Sequence, residues 1–496
     1  MTGAQARLSL RTLACLGDGI DRPSYDPAQL RTGIVHLGIG AFHRAHQATL
    51  TDRAADVAEG GWGIVAATQR SARVVEQMRP QDGLFTLVSR DGGAHPMARV
   101  VGSVRGVLHA GAEAAALSDA LAAPATRIVS TTVTEKGYGA DLGTRTLDVG
   151  APLTAADLAD DSPYRTVVGQ LVGGFTRRMQ DGSAGLTVLC CDNVQRGGDL
   201  LRSLCRQFLA SWSSGAATDV RAWMDGHVRF PSTLVDRIVP ATTAEDLRRY
   251  SRILGYRDDA LVTAEPYGLW VIEDDFAAGH PTWPAENVKL VADIGPWSDV
   301  KLRLLNGAHS LLAYLGLLAG AETIGEVVGM PALAHALDAW LDEASRSLAA
   351  LPEGLQIEAY RRSLVDRFGN PGITHRLEQI AMDGSLKLPA RTIPAAADLV
   401  GRGQDAPVAA LTLATWLRYL ETRAGHGDAI ADPVAERLTA AVTGGGESRR
   451  VVDAVFGADG ALPVAACLQG SFLDGVARWM TTLRAQGALP TARMVG

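Results

Sequence analysis

The sequence predicts an N-terminal α/β domain, residues 1–290, followed by a mostly α-helical C-terminal domain, residues 291–496. Three observations carry this. Up to about residue 290, short apolar or β-branched runs end in glycine or polar residues, as the strands of a parallel sheet do. From about 296 onward, apolar residues recur mostly at the 3.6-residue helical period with few strand candidates. Between the two, Pro281, Pro284 and Pro296 mark a boundary near 285–296.

The first strand is Gly33 to Leu37, followed by Gly38-Ile39-Gly40-Ala41-Phe42-His43 and a helix-like segment through Ala55. Strand, G-x-G turn and helix are how a Rossmann-type dinucleotide-binding unit opens, with backbone N–H groups approaching a pyrophosphate at the helix N-terminus. Gly38, Gly40, Ala41 and Phe42 are therefore candidate cofactor contacts. His43 stands where a third glycine would complete the fingerprint, so the spacing alone also fits a generic glycine turn. His43 and His46 have no evident third ligand, and no metal site is expected. The second strand, Gly63 to Thr68, is followed by Gln69-Arg70-Ser71-Ala72-Arg73, without the acid that binds a ribose 2′-hydroxyl. Arg73 is either a solvated surface residue or a partner for a 2′-phosphate, so the expected cofactor is NAD with NADP left open.

Further strands are expected at 127–133, ending in Thr134-Glu135-Lys136-Gly137-Tyr138, and at 186–191, ending in Asp192-Asn193. Ligands of parallel sheets lie beyond the carboxyl ends of the strands. Thr134 is thus a candidate cofactor contact, and Asn193 either donates to a substrate oxygen or closes a turn. Helices are predicted over 300–319, 330–350, 353–368, 372–383, 407–422, 432–443 and 464–485.

The run Val300 to Leu312 is apolar except for Lys301, Arg303, Asn306, His309 and Ser310. At about 100° per residue Asn306 and His309 lie one turn apart, with Lys301 about 80° around the axis from His309. Lysine is scarce: only Lys136, Lys289, Lys301 and Lys387 occur among 47 Lys+Arg. An arginine cannot shed its proton at useful pH, whereas a desolvated lysine can. Lys301 is a candidate general base, the alternative being a stem that packs while its head reaches water.

With 496 residues, 47% hydrophobic and 20% charged, the chain has the makeup of a soluble globular protein. A net charge of −7 without charge blocks argues against a nucleic-acid or anionic-membrane surface. The five cysteines are scattered and form no C-x-x-C pair, and the N-terminus lacks a signal-peptide pattern, so a cytoplasmic location is expected. The expected partner is a small molecule, for a monomer or small homo-oligomer.

Taken together, Gly38-x-Gly40-x-Phe42-His43-Arg44-Ala45-His46-Gln47, Gln81 to Thr86, Thr134 to Tyr138, Cys191-Asp192-Asn193, Phe230 to Ile238, Glu265-Pro266 with Trp270 to Asp274, and Lys301-x4-Asn306-Gly307-x-His309 resemble the mannitol dehydrogenase family. The resemblance runs from about 30 to 485. It implies metal-independent, NAD(P)-dependent hydride transfer at C2 of an open-chain sugar alcohol, aldonate or ketose. It further implies that Lys301 is the acid/base, that Asn193 and Asn306 hydrogen-bond the reacting oxygen, and that His309 positions substrate. Short-chain dehydrogenase chemistry is disfavoured because no Tyr-x-x-x-Lys occurs, and zinc chemistry because no ligand set can be assembled.

For substrate choice the resemblance implicates Lys387 in lining the substrate site, and Gln379 stands where mannitol 2-dehydrogenases carry arginine. The segments Thr134 to Tyr138, Phe230 to Pro240 and Lys301 to Gly316 are more similar to fructuronate reductases. Lys136 or Lys387 can pair with a uronate carboxylate, which tips the expectation to fructuronate/mannonate over fructose/mannitol. A nucleotide-binding regulator without turnover is the reading from another class, disfavoured by the intact Lys301, Asn193, Asn306 and His309 set. A generic solute-binding protein needs no glycine turn and normally carries an export signal.

Overall fold

The computed structural model describes residues 5–55, 61–93, 97–141, 143–159, 163–443 and 446–495, without the side chains of residues 135 and 136. The chain divides into two compact units, Met1–Ile294 and Gly295–Gly496.

The first unit is built on an all-parallel six-stranded sheet in the order Val228–Arg229, Leu186–Cys190, Ile128–Thr131, Thr32–Leu37, Gly63–Thr68, Val104–His109. The four inner strands lie where the apolar runs predict them. They are buried on both faces, as parallel strands with crossover helices must be. Alternate residues feed two cores: Val35 and Leu37 pack with Val168, Leu171 and Phe175 of the helix Val167–Gln180, whereas Ile34 packs with Ala45, Ala48 and Trp62. The two edge strands are absent from the sequence reading. Val104–His109 is interrupted by Gly106 and half-buried, and Val228–Arg229 has two residues only. Two smaller sheets complete the unit, one joining Ile20–Asp21, Met97–Val101, Phe85–Ser89 and Val262–Ala264, the other Thr233–Asp236, Leu269–Glu273 and Val288–Val291.

In the second unit, among the described residues, every named element is helical. Pro331–Ser347, Ile357–Phe368, Pro407–His426, Ala435–Thr443 and Ser471–Gln486 match predicted helices, whereas 372–383 shrinks to Leu377–Ala381. Gly384–Arg391 and Ile393–Gly401 are absent from the sequence reading; each contains a proline, Pro389 and Pro394, a residue that disfavours a helix interior. The structure seats Pro394 in the first turn, where its missing N–H costs nothing. The predicted 300–319 helix is three pieces: α-helix Gly295–Val300, π-helix Lys301–Asn306 and α-helix Gly307–Leu318. Regular spacing of 100° per residue therefore fails between Lys301 and Asn306, because each π turn holds an extra residue. Residues 307–316 are all buried, against Pro331–Ser347, Leu377–Ala381 and Pro407–His426. No helix among the described residues is long and apolar enough to cross a membrane.

One buried carboxyl ties this unit together and carries a prediction. Glu343, 1% exposed, accepts the Val408 and Ala409 N–H groups at 2.8 Å each, capping the long helix Pro407–His426 from outside its own sequence. Burial pushes its pKa from 4.5 up to about 7, against the opposing pull of those two N–H donors. A raised carboxyl pKa means that the folded state holds the proton more tightly than the unfolded chain. The stability this contributes is complete below pH 4.5 and is lost as pH rises to about 7. The melting temperature of the wild type relative to Glu343→Gln is therefore expected to fall between pH 4.5 and 7 and to level off above it. The total is on the order of 3 kcal/mol at most. A difference that stays flat from pH 5 to 8 would refute the assignment.

Candidate functional site

Each site candidate of the first unit lies at the carboxyl end of a parallel strand: Gly38 to Phe42 after Thr32–Leu37, Arg73 beyond Gly63–Thr68, Thr134 after Ile128–Thr131, and Asn193 after Leu186–Cys190. Because these strands are parallel and adjacent, the four loops share one edge of the sheet. Chain order reverses between Thr32–Leu37 and Ile128–Thr131, and the crevice at such a reversal is where doubly wound sheets take nucleotides.

At that reversal the glycine turn presses on its neighbour. Gly38 has φ +105°, and a Cβ there would stand 2.2 Å from the Thr132 carbonyl oxygen. The Gly38 and Ile39 N–H groups donate to the Ala67 carbonyl at 2.8 and 3.1 Å. Gly40 differs: its φ of −110° suits any residue, and an added Cβ would meet nothing nearer than the Gly38 oxygen at 3.8 Å. Gly38 is glycine because of the fold, while the space beside Gly40 is open, as close approach of a ligand to the backbone requires. From Ala41 the helical run continues to Arg53, with a π segment at Arg44–Ala48 in place of the uniform helix expected. Phe42 stacks on His46, their ring centroids 5.2 Å apart. Arg73 is exposed at the start of the helix Arg73–Met78, its N–H donating to the Ser71 hydroxyl.

Thr134 is exposed with φ +66° and ψ 161°, a region nearly reserved for glycine that costs about 1–3 kcal/mol. The Asp192 carboxylate holds it there. It accepts the Thr134 N–H at 2.9 Å, the Val133 N–H at 3.2 Å and the Tyr138 hydroxyl. Burial raises the Asp192 pKa, while these donors pull it back; burial also drives Tyr138 well above its ordinary value, so the phenol stays a neutral donor. Asn193, the next residue, is exposed at the same strand end. Lys136 sits in the short turn Glu135–Tyr138, and its side chain lies outside the described residues.

In the second unit Lys301, Asn306 and His309 share one helical run, Lys301 and Asn306 at the two ends of the π segment. Trp340, from the helix Pro331–Ser347, donates its indole N–H to the Arg303 carbonyl at 3.0 Å and lies against Gly307, where a Cβ would be 2.4 Å from its ring. That contact explains the glycine after Asn306. Arg303 is buried and structural, paired with Asp398 at 2.6 Å and bonded to the Ser347 carbonyl. Lys301 is half-buried; Asn306 and His309 are each 8% exposed.

His309 sits in a basic surround that the sequence reading missed. Its ring is 4.8 Å from Phe368 and 5.1 Å from His375, both edge-on, and its Nε2 has no hydrogen-bond partner. Burial, and then the nearby His375, Arg391, Arg367 and Lys387, drive its pKa well below the usual value, so the imidazole is neutral. Arg391 Nη1 donates to the Asn306 carbonyl at 3.4 Å and the Ser310 hydroxyl at 3.3 Å. Lys387 Nζ donates to the Ile380 carbonyl at 3.0 Å. Gln379 is exposed on Leu377–Ala381, whose Leu377, Ile380 and Ala381 are buried. A signal for Arg391 existed, since it follows Lys387 by one helical turn; none existed for His375. No cluster of three or more metal-ligating side chains occurs among the described residues.

Comparison with known proteins gives the family of the chain. The model of the mannitol dehydrogenase Rossmann domain matches residues 32–285, and that of the mannitol dehydrogenase C-terminal domain matches residues 293–456. The D-mannonate oxidoreductase of Escherichia coli is 38% identical over 84% of this chain and 86% of its own. The mannitol 2-dehydrogenase of Pyrenophora tritici-repentis is 34% identical over 92% of this chain and 81% of its own. Among solved structures, the Pseudomonas fluorescens mannitol 2-dehydrogenase, in a ternary complex with NAD and D-mannitol, superposes with a TM-score of 0.82 at 33% identity, covering 98% of this chain and 99% of that one. With two family models spanning most of its length and relatives above 30% identity along more than four-fifths of it, the chain belongs to the mannitol dehydrogenase family and is an oxidoreductase.

Proposed function

We propose that the protein uses NAD to interconvert an open-chain sugar acid and its 2-keto form, D-mannonate and D-fructuronate. The observation that carries the substrate class is the basic surround of His309, formed by His375, Arg391, Arg367 and Lys387. Burial keeps His375 neutral like His309, while Arg391, Arg367 and Lys387 bring positive charge to the same imidazole, a set that favours a carboxylate over a neutral polyol. Similarity to a D-mannonate oxidoreductase supports the same choice.

NAD, the cofactor bound in the similar mannitol 2-dehydrogenase, fits the Gly38 to Phe42 turn, where the backbone beside Gly40 is open. When bound there, NAD would supply the hydride acceptor in oxidation, and NADH the hydride donor in reduction, for C2 of the substrate. The residues of the chain handle the proton and the charge. In oxidation, Lys301 Nζ takes the hydroxyl proton as the C2–H bond breaks; in reduction it returns that proton to the new hydroxyl. The Asn193 and Asn306 carboxamides donate to the oxygen as negative charge develops on it, without neutralising the lysine. Neutral His309, with a buried nitrogen lacking a partner, hydrogen-bonds a substrate hydroxyl, and Lys387 pairs with the carboxylate.

A second reading, D-mannitol and D-fructose, is favoured by the superposition on an enzyme holding D-mannitol. Initial rates of NADH and NADPH oxidation with D-fructuronate, D-fructose, xylulose and tagatose separate the two. D-Fructuronate with NADH is expected to give the highest kcat/KM. D-Fructose as the preferred ketose transfers the assignment to mannitol oxidation, a preference for NADPH assigns Arg73 to a 2′-phosphate, and NADH binding without turnover of any ketose leaves a regulator.

A further inference from the structure

Beneath the glycine turn lies a hydrogen-bonded chain of side chains that the proposed chemistry does not use. His36, fully buried on the central strand Thr32–Leu37, reaches across to the neighbouring strand Ile128–Thr131 and the residue beyond it. Its Nδ1 is 2.8 Å from the Ser130 hydroxyl and its Nε2 is 2.8 Å from the Thr132 hydroxyl. Thr132 in turn donates to the Gly38 carbonyl at 2.8 Å.

The direction of every proton in this chain follows from its last member. A carbonyl oxygen only accepts, so the Thr132 hydroxyl spends its hydrogen on Gly38 and offers a lone pair to His36. His36 Nε2 therefore carries the imidazole hydrogen, and Nδ1 accepts the hydrogen of Ser130. Burial drives His36 down to about 3, which leaves the ring neutral in this single tautomer. The ring also stacks on His43, centroids 3.4 Å apart and planes inclined by 12°. His43 belongs to the first turn of the helix that follows the glycines, so one imidazole touches both the turn and the helix start.

We propose that His36 is a positioning residue for the dinucleotide: through Thr132 it fixes the Gly38 carbonyl, and through His43 the first helical turn, so that the N–H groups facing the pyrophosphate are held before it arrives. The Gly38–Ile39 peptide unit is planar and is held from both sides, its carbonyl by Thr132 and its N–H by the Ala67 carbonyl, so the residues that follow, Gly40 to Phe42, leave it in a set direction; preorganised donors lose less freedom on binding. The inference rests on the reading that the glycine turn receives the pyrophosphate.

NADH titration of the wild type, followed by Thr132→Val, Thr132→Ser and His36→Phe, tests it. Thr132→Val deletes the link to Gly38, Thr132→Ser restores it, and His36→Phe keeps a ring against His43 without either nitrogen. The NADH dissociation constant is expected to rise roughly tenfold in Thr132→Val and His36→Phe and to stay within about threefold of wild type in Thr132→Ser. At saturating NADH, kcat and the KM for the ketose are expected to hold within about twofold in both Thr132 variants. A merely structural role would instead lower the melting temperature of Thr132→Val and Thr132→Ser alike and leave both dissociation constants unchanged, which overturns the proposal. Equal NADH affinity of the valine and serine variants overturns it even if His36→Phe does not fold. Failure of the wild type to bind NADH overturns the cofactor reading itself.

Discussion

Replacing Lys301 by alanine is expected to lower kcat/KM for ketose reduction by about a thousandfold or more while the NADH dissociation constant stays within about twofold of wild type. A positioned acid/base contributes roughly two to four decades of rate, and here no neighbour on the helix can substitute, because Arg303 is committed to Asp398 and Ser347. The fold should survive the change. Lys301 is half-buried, and the packing of this run comes from Leu304, Leu305, Leu311 and Leu312. Lys301→Arg is the sharper variant: it keeps the positive charge but cannot give up a proton at working pH, so it should be as inactive as alanine. Activity within tenfold of wild type in either variant removes Lys301 from proton transfer, and recovery in the arginine variant alone reduces its role to charge.

What could be read from the chain beforehand is what depends on near neighbours in sequence. The G-x-G turn needs two glycines and a preceding apolar run, and Asn306 and His309 need only helical spacing. The all-parallel core was legible for the same reason: Ile34, Val35 and Leu37 announce a doubly buried strand without knowledge of their partners. Groups that act through tertiary contact were not. His36 read as one residue of an apolar strand, although its hydrogen-bond partners lie 94 and 96 positions away. His375 and Arg367 approach His309 only after several helices have packed. Phe85–Ser89 and Met97–Val101 pair antiparallel beside the main sheet, an arrangement that a search for crossover units does not anticipate. The π segment at Lys301–Asn306 has no composition of its own, since Lys-Leu-Arg-Leu-Leu-Asn suits an ordinary helix. Nor does Thr134 announce its positive φ, because the residue that would, glycine, is missing and Asp192 supplies the restraint instead.

Gly38→Ala and Gly40→Ala are expected to fail in different ways, and the contrast separates what the fold demands from what the ligand demands. At position 38 a methyl group would meet the Thr132 carbonyl oxygen at 2.2 Å with φ at +105°, so the turn must move off the neighbouring strand. That should cost about 2–4 kcal/mol of stability, seen as a lower melting temperature, and raise the NADH dissociation constant roughly a hundredfold. At position 40 the backbone is ordinary extended chain and a methyl has room, its nearest neighbour being the Gly38 oxygen at 3.8 Å. Gly40→Ala should melt with wild type. No described residue crowds a side chain there, so under the proposed cofactor site a methyl at position 40 meets the incoming group instead, as a pyrophosphate approaches the backbone at the N-terminus of the first helix. A tenfold or greater loss of NADH affinity at unchanged melting temperature is the expected result for Gly40→Ala. Wild-type affinity in that variant would mean that the dinucleotide does not lie against this turn, and the cofactor assignment, with the role given to His36, would fall with it.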